Sequence, residues 1–276
     1  MAREVGRGRH EVVEPRPLGA ARVGPGRAAA DPGRPVVVAG PRIAIVSDIH
    51  GNLAALDAVV ADLQRWAPDL VVQGGDLVIG GPRPAECVDR VRELGWPGVI
   101  GNIDTVVRDG LPPGIEPGLA ARLDGHVAWN ADRLGEERVA WLQTAPTEWR
   151  DGDRVAVVHA VPGNLWQVVL PDAGDADLQS TFGPLGARVA VFCHIHVPFV
   201  RHVGSLTVAN SGSAGNPYDG DPRASYLLVE DGAVTVHRVE YDVDQVAADL
   251  RATGSPDPDV LAAAIRTGSP PAWSVA

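Results

Sequence analysis

Lysine is missing from this chain altogether: its 24 basic residues are all arginine. That pattern fits a GC-rich coding sequence and implies neither a mechanism nor thermal adaptation. Cysteine is nearly missing too. Cys87 and Cys193 cannot build a disulfide framework, which excludes the small secreted scaffolds. No apolar run approaches the ~18 residues of a membrane helix. The N-terminus lacks the apolar stretch of a secretory signal, so the expectation is a cytoplasmic protein with no membrane association. The charge balance is acidic, formally −11, which argues against general nucleic-acid binding. No internal repeat at solenoid periods is present.

The 276 residues, 45% of them hydrophobic, suffice for one large domain or two small ones. Residues 1–41 form a separate zone, rich in proline, glycine and arginine and without an aromatic residue. Such a segment cannot bury enough apolar surface to offset its ordering entropy. A disordered tail is therefore expected over 1–41 and a folded domain over 42–276. A basic arm that binds a partner is the second reading. Glu4, Glu11 and Glu14 interrupt the basic stretch and argue against a transit peptide.

Periodicity predicts a buried strand at 42–48 and a helix at 53–66, with Leu53, Leu56, Val59, Val60, Leu63 and Trp66 on one stripe. A strand at 69–73, a helix at 84–94 opened by Pro84 and a strand at 98–101 complete a βαβαβ rhythm. Residues 116–143 read as mostly helical with a break near Gly135, followed by strands at 154–159 and 189–193. Hairpins at 198–210, about Gly204, and 225–240, about Asp231-Gly232, come next. Two short helices, 243–252 and 258–266, close the chain.

The most informative run is residues 44–52, Ala-Ile-Val-Ser-Asp-Ile-His-Gly-Asn, an apolar strand ending in an Asp-x-His pair. Asp48 and His50 share strand phase, so both can point to one side. Further donors follow further apolar runs: Asp76 after 69–75, Asn102 after 98–101, His159 after 154–158, and His194 with His196 after 189–193. All are oxygen or imidazole donors, suited to Mn²⁺, Fe, Zn²⁺ or Ni²⁺ rather than to a thiolate site. Seven donors are too many for one tetrahedral ion and suit two ions sharing a carboxylate. Each donor alone has a plainer reading, Asn102 as a turn residue and Asp76 as a cap or turn. Seven in sequence at five strand ends do not.

The ordered series D-x-H, G-D, G-N-x-D, H and H-x-H resembles the calcineurin-like metallophosphoesterase superfamily. Gly75–Pro84 and Asp221–Tyr226 resemble its small bacterial and archaeal phosphodiesterase-type branch. The resemblance spans roughly residues 42–267. It implies an α/β (α+β) fold, a four-layer αββα sandwich of two mixed β-sheets flanked by helices. It also implies a hydrolase that cleaves phosphate esters by attack of a hydroxide shared between two divalent ions. Asp48, His50 and His196 would hold one ion, Asn102, His159 and His194 the other, and Asp76 would bridge them. Asn102 and His159 would also meet the substrate. Asp104 would join Asp76 and Asn102 in the catalytic group by orienting the ligands from behind. The implied substrate is a small phosphate ester, more a diester than a monoester, because the family histidine that protonates the leaving group is Ile103 here. A protein Ser/Thr phosphatase, a dinucleoside polyphosphate hydrolase and a non-catalytic scaffold of the same fold are the alternatives. Ala160 and Cys193 also stand where the family commonly has glycine.

Other residues carry open readings. The 211–217 loop could bring backbone donors to a substrate or be a plain loop. Trp166 could line a pocket or simply pack. Arg223 could bind phosphate or pair with a carboxylate. His126, His202 and His237 are expected to be hydrogen-bonded core residues.

Overall fold

The computed structural model describes residues 40–273. The expectation for the 1–41 tail therefore lies, but for Gly40 and Pro41, outside the described residues. In chain order the elements are β1 (Ile43–Val46), α1 (Leu53–Trp66), β2 (Leu70–Gln73), α2 (Pro84–Leu94), α3 (Asn102–Asp109) and α4 (Pro117–Leu142). Then come β3 (Glu148–Asp151), β4 (Val155–Val158), α5 (Asp175–Phe182), a 3₁₀ turn (Gly183–Leu185), β5 (Val189–Phe192), β6 (Phe199–Val203) and β7 (Leu206–Asn210). β8 (Ala224–Glu230), β9 (Ala233–Val239), α6 (Val243–Ala252) and α7 (Pro258–Thr267) end the described chain.

The strands form two mixed sheets, ordered β2-β1-β8-β9 and β3-β4-β5-β7-β6. β1 runs parallel to β2 and antiparallel to β8, so Ile43 faces Leu70 on one side and Val229 on the other. β4, β5 and β7 run parallel, with β3 and β6 antiparallel at the edges.

Alternation along the strands makes the layers. Ile43 and Ile45 of β1 pack with Leu227 and Val229 against Val155, Val157, Val189 and Val191 of the other sheet, a core between the sheets. Their neighbours Ala44 and Val46 face the opposite way, onto Leu56 and Val59 of α1, Val88 of α2 and Leu134 of α4. On the second sheet, Ala156, Val158, Ala190 and Phe192 turn outward onto Leu178 and Phe182 of α5. Helix, sheet, sheet, helix is the four-layer sandwich expected, and α6 and α7 form a separate apolar pair built on Val246, Leu250, Leu261 and Ile265.

The helix ends follow their sequence signals. Asn52 caps α1 by accepting from Ala55 N at 3.1 Å. Pro84 and Pro117 open α2 and α4. α4 breaks at Gly135, where φ is +66°. Four features differ from the sequence reading. The strand at 98–101 shrinks to one bridge, Gly98 to Gln73, because Ile100 N turns away to Pro146 O at 2.9 Å. α3 begins where a strand end was expected. β3 and α5 are additional elements.

Candidate metal centre

Six of the seven donors lie on loops beyond the strands, and Asn102 is the first residue of α3. β1 ends at Val46 and β5 at Phe192, so Asp48, His50, His194 and His196 are not in strand phase. Asp48, His50, Asp76, His194 and His196 have φ of +53°, +50°, +54°, +68° and +59°. Left-handed backbone at non-glycine residues costs roughly 1–3 kcal/mol each and persists only where the surroundings over-determine it. Here they do. Asp48 N and His50 N donate to Gly75 O and Asp76 O, each at 3.0 Å, and Gly51 N donates to Leu77 O at 2.8 Å. The two loops thus zip together by backbone. The strand-phase argument is corrected in its geometry, while the convergence it aimed at stands.

Two groups result. The ligand atoms of Asp48, His50, Asp76 and His196 lie within 4.8 Å of one another, and so do those of Asp76, His159 and His194. Asn102 Oδ1 joins the second group, 2.8 Å from His159 Nε2. Asp76 belongs to both. Its Oδ1 accepts from Ile103 N at 2.9 Å, and its Oδ2 lies 3.3 Å from His159 Nε2 and 3.9 Å from His50 Nε2. Two glycines allow this crowding. A Cβ on Gly101 would meet Asp76 Oδ1 at 2.0 Å, and one on Gly75, where φ is +91°, would meet Gly101 N at 2.6 Å.

Three imidazoles are anchored by carbonyls. Nδ1 of His50, His159 and His196 faces Ile79 O at 2.6 Å, Gly74 O at 2.8 Å and Asn216 O at 2.6 Å. With the proton on Nδ1, each Nε2 lone pair points into the cluster, the second contact a metal-ligating histidine usually has. The consequences fit a cation. Nε2 of His50 and Nε2 of His196 stand 3.1 Å apart, lone pair against lone pair unless a positive charge intervenes. Asp48 Oδ1 is buried without a hydrogen-bond partner. His159 has oxygen atoms near both nitrogens, Gly74 O at Nδ1 and Asn102 Oδ1 at Nε2, an arrangement that favours its imidazolium when no ion is bound. Burial opposes that charge, but the Asp76 and Asp48 carboxylates overcome it and push His159 up to about 9. Burial and the neighbouring His159 take His194 down to about 4. Burial would raise Asp76, yet His159, His50 and His194 hold it well below the usual carboxylate range. The buried Asp/His clusters are consistent with a dinuclear site.

Asp104 lies behind this cluster. Its carboxylate accepts from Asp76 N at 2.8 Å, Leu77 N at 2.9 Å and Gly101 N at 3.2 Å. It straps the Asp76 loop to the first turn of α3. Burial and the Asp76 carboxylate push it up to about 7. The 211–217 loop also braces: Ser213 Oγ donates to Asp48 O at 2.7 Å, and Asn52 Nδ2 donates to Gly215 O at 2.8 Å. Tyr218 stacks on His196 with ring centres 4.2 Å apart.

A cavity of about 210 Å³ opens onto the cluster. His50, Asp76, Asn102, His194 and His196 form one wall. Ile103 lines it beside Asn102, together with Ile79, Asn216 and Tyr218. Sequence reasoning missed this lining. His126 is buried and hydrogen-bonded as expected, with Nε2 3.3 Å from Asp257 Oδ2, and it also lines the cavity. Trp166 is 41% exposed and is not among the lining residues, whereas Trp273 is. Arg223 pairs with Asp221 at 2.6 Å. His202 and His237 are not core residues as expected: exposed His202 meets Thr207 Oγ1 at 3.0 Å from strand β6, and half-buried His237 on β9 stacks on Tyr226 with ring centres 4.8 Å apart. Cys87 and Cys193 are buried free thiols. No described helix is long and apolar enough to cross a membrane.

Residues 42–232 match the family model described as the calcineurin-like phosphoesterase superfamily domain. An uncharacterised protein of Methanocaldococcus jannaschii is 31% identical over 226 residues, covering 73% of this chain and 88% of its own. Among solved structures, a metallophosphoesterase from Sphaerobacter thermophilus is 33% identical with a TM-score of 0.69, covering 83% of this chain and 99% of its own. A hypothetical protein from Pyrococcus horikoshii, 19% identical with a TM-score of 0.71 over 80% of this chain and 97% of its own, shares the fold.

Proposed function

The chain belongs to the calcineurin-like phosphoesterase superfamily, and from that premise we propose that it is a metal-dependent hydrolase of small phosphodiesters. The observation that carries the reading is the pair of buried donor groups sharing Asp76. Asp48, His50 and His196 would hold one divalent ion, Asn102, His159 and His194 the other, and Asp76 both. Mn²⁺, Fe, Zn²⁺ and Ni²⁺ all suit this nitrogen and oxygen set. Bound there, two such ions supply Lewis acidity toward a phosphoryl group and a water acidified to near-neutral pH.

The protein's own contribution is orientation. The carbonyls of Ile79, Gly74 and Asn216 fix three imidazole rings. Asp104 holds the Asp76 loop and acts as a positioning residue. Asn102, with its amide at the cavity wall, is the group we assign to the substrate phosphoryl, while His159, expected there too, is fully buried with Nδ1 on Gly74 O and keeps only Nε2 for an ion. The diester preference is supported by Ile103, which lines the cavity next to Asn102 and offers no proton to a leaving alkoxide. The protein phosphatase and dinucleoside polyphosphate readings call for a proton donor at that position. A panel of chromogenic mono- and diesters against Mn²⁺, Fe²⁺, Zn²⁺ and Ni²⁺ tests the proposal. Diester hydrolysis should exceed monoester hydrolysis with at least one ion. No turnover with any pair refutes the phosphoesterase reading, and a monoester preference refutes the finer one.

A further inference from the structure

The same cavity is also lined by Leu123 of α4, Leu261 of α7, Pro271 and Trp273. Three of these four lie beyond residues 42–232, outside the part of the chain matched by the family model. The site therefore brings two chemistries to one space. One wall is carboxylate, amide and imidazole; the other is apolar and aromatic, with His126 set in it. His126 stays in place through Asp257 Oδ2 at 3.3 Å, the other oxygen of that carboxylate, Oδ1, accepts from Arg122 at 2.9 Å, and the His126 ring lies 5.7 Å from that of Trp273. The indole Nε1 of Trp273 is buried with no hydrogen-bond partner among the described residues.

Resting on the phosphoesterase reading above, we propose that Trp273 and Leu123 form a subsite for one aromatic ring of the substrate, the aryl or nucleoside arm of a phosphodiester. Size and chemistry both select this occupant. An apolar cavity of about 150 Å³ takes a benzene ring. The space here is about 210 Å³. One ring beside a phosphoryl group fills it. A bare alkyl phosphate would leave the Trp273 wall facing water, and an aromatic arm removes that apolar surface from solvent. The C-terminal segment thus sets the specificity of a centre whose metal donors all lie within the family-matched part.

Competitive inhibition by phenylphosphonate and methylphosphonate tests this, because both carry the same anion and differ by one ring. Wild type should bind phenylphosphonate about tenfold more tightly or better, as burial of most of a ring requires. In Trp273→Ala that advantage should fall to about threefold or less, while methylphosphonate inhibition stays unchanged; Trp273→Phe should retain it. Leu123→Ala, a half-buried position on α4, should reduce it too, so a misfolded Trp273 variant leaves the test intact. Equal inhibition of wild type by both phosphonates overturns the subsite. An unchanged preference in both alanine variants also overturns it, as does a parallel loss for both phosphonates. Turnover of bis(p-nitrophenyl) phosphate by wild type is scored separately, so failure of the phosphoesterase reading is distinguishable from failure of the subsite.

Discussion

Replacing Asp76 by asparagine probes the electrostatics and the chemistry of the centre together. The amide keeps an oxygen for Ile103 N, now 2.9 Å from Asp76 Oδ1, and nearly the same volume. What disappears is the negative charge 3.3 Å from His159 Nε2. At an effective dielectric of about 20, unit charges at that separation attract by about 5 kcal/mol, equivalent to nearly four decades in a protonation equilibrium. In the metal-free protein this attraction outweighs burial and pushes His159 up to about 9. With Asp76→Asn, burial remains and only the weaker attractions of Asp48 and Asp104 oppose it, so His159 should titrate below its ordinary ~6.5. An NMR titration of the metal-free variant reads this directly and needs no turnover. With metal supplied, loss of the shared carboxylate should cost several kcal/mol of transition-state stabilisation, about 10³-fold in kcat/KM. A His159 that still titrates near 9 in the variant would refute the charge coupling. A wild-type rate with two bound ions would refute the shared role of Asp76.

Metal binding requires a neutral His159, so at pH 7 uptake should release about one proton, and affinity should climb about tenfold per pH unit up to about 9. Calorimetry in two buffers of different ionisation enthalpy measures the release. The metal-free fold has the opposite sign: its folded-state pKa is raised, so the stabilisation is complete below ~6.5 and lost as pH rises through about 9. Asp104→Asn leaves one amide oxygen for three backbone donors, and thermal melts should show a loss of about 1–3 kcal/mol. Its metal affinity should drop about 10–100-fold. Ile103→His should speed esters with poor leaving groups more than those with good ones. The gain should fall short of the usual ~10²–10⁴-fold for a general acid, because Asp104 is committed to backbone amides and cannot orient the new ring. An unchanged dependence of kcat/KM on leaving-group pKa would place Ile103 away from the leaving group.

The donor set was legible because it is written as local pairs, Asp48-x-His50 and His194-x-His196, each after an apolar run of fixed length. The layers were expected from the family resemblance and not from the pattern, since Ile43–Val46 is apolar throughout even though its odd and even positions go to different cores. What escaped was whatever depends on close backbone approach or on distant segments. The left-handed φ of Asp48 and His50 comes from hydrogen bonds to Gly75, Asp76 and Leu77, which no pattern near residue 48 reports. α3 was hidden because Asn102 read as a turn residue after a strand, whereas it opens a helix that Asp104 caps by accepting from Gly101 N. β3, Glu-Trp-Arg-Asp, is an edge strand too polar and too short to show a period. His126, Tyr218 and Trp273 reach the cavity from separate parts of the chain and belong to no motif.

Metal stoichiometry, measured by elemental analysis on the same sample whose diester turnover is followed during reconstitution of the stripped protein, tests the central claim most directly. Two divalent ions per chain should bind, with activity appearing as the sites fill and vanishing again on chelation. A chain that binds no ion at the Asp76 cluster, or that hydrolyses diesters equally well when stripped, would contradict it.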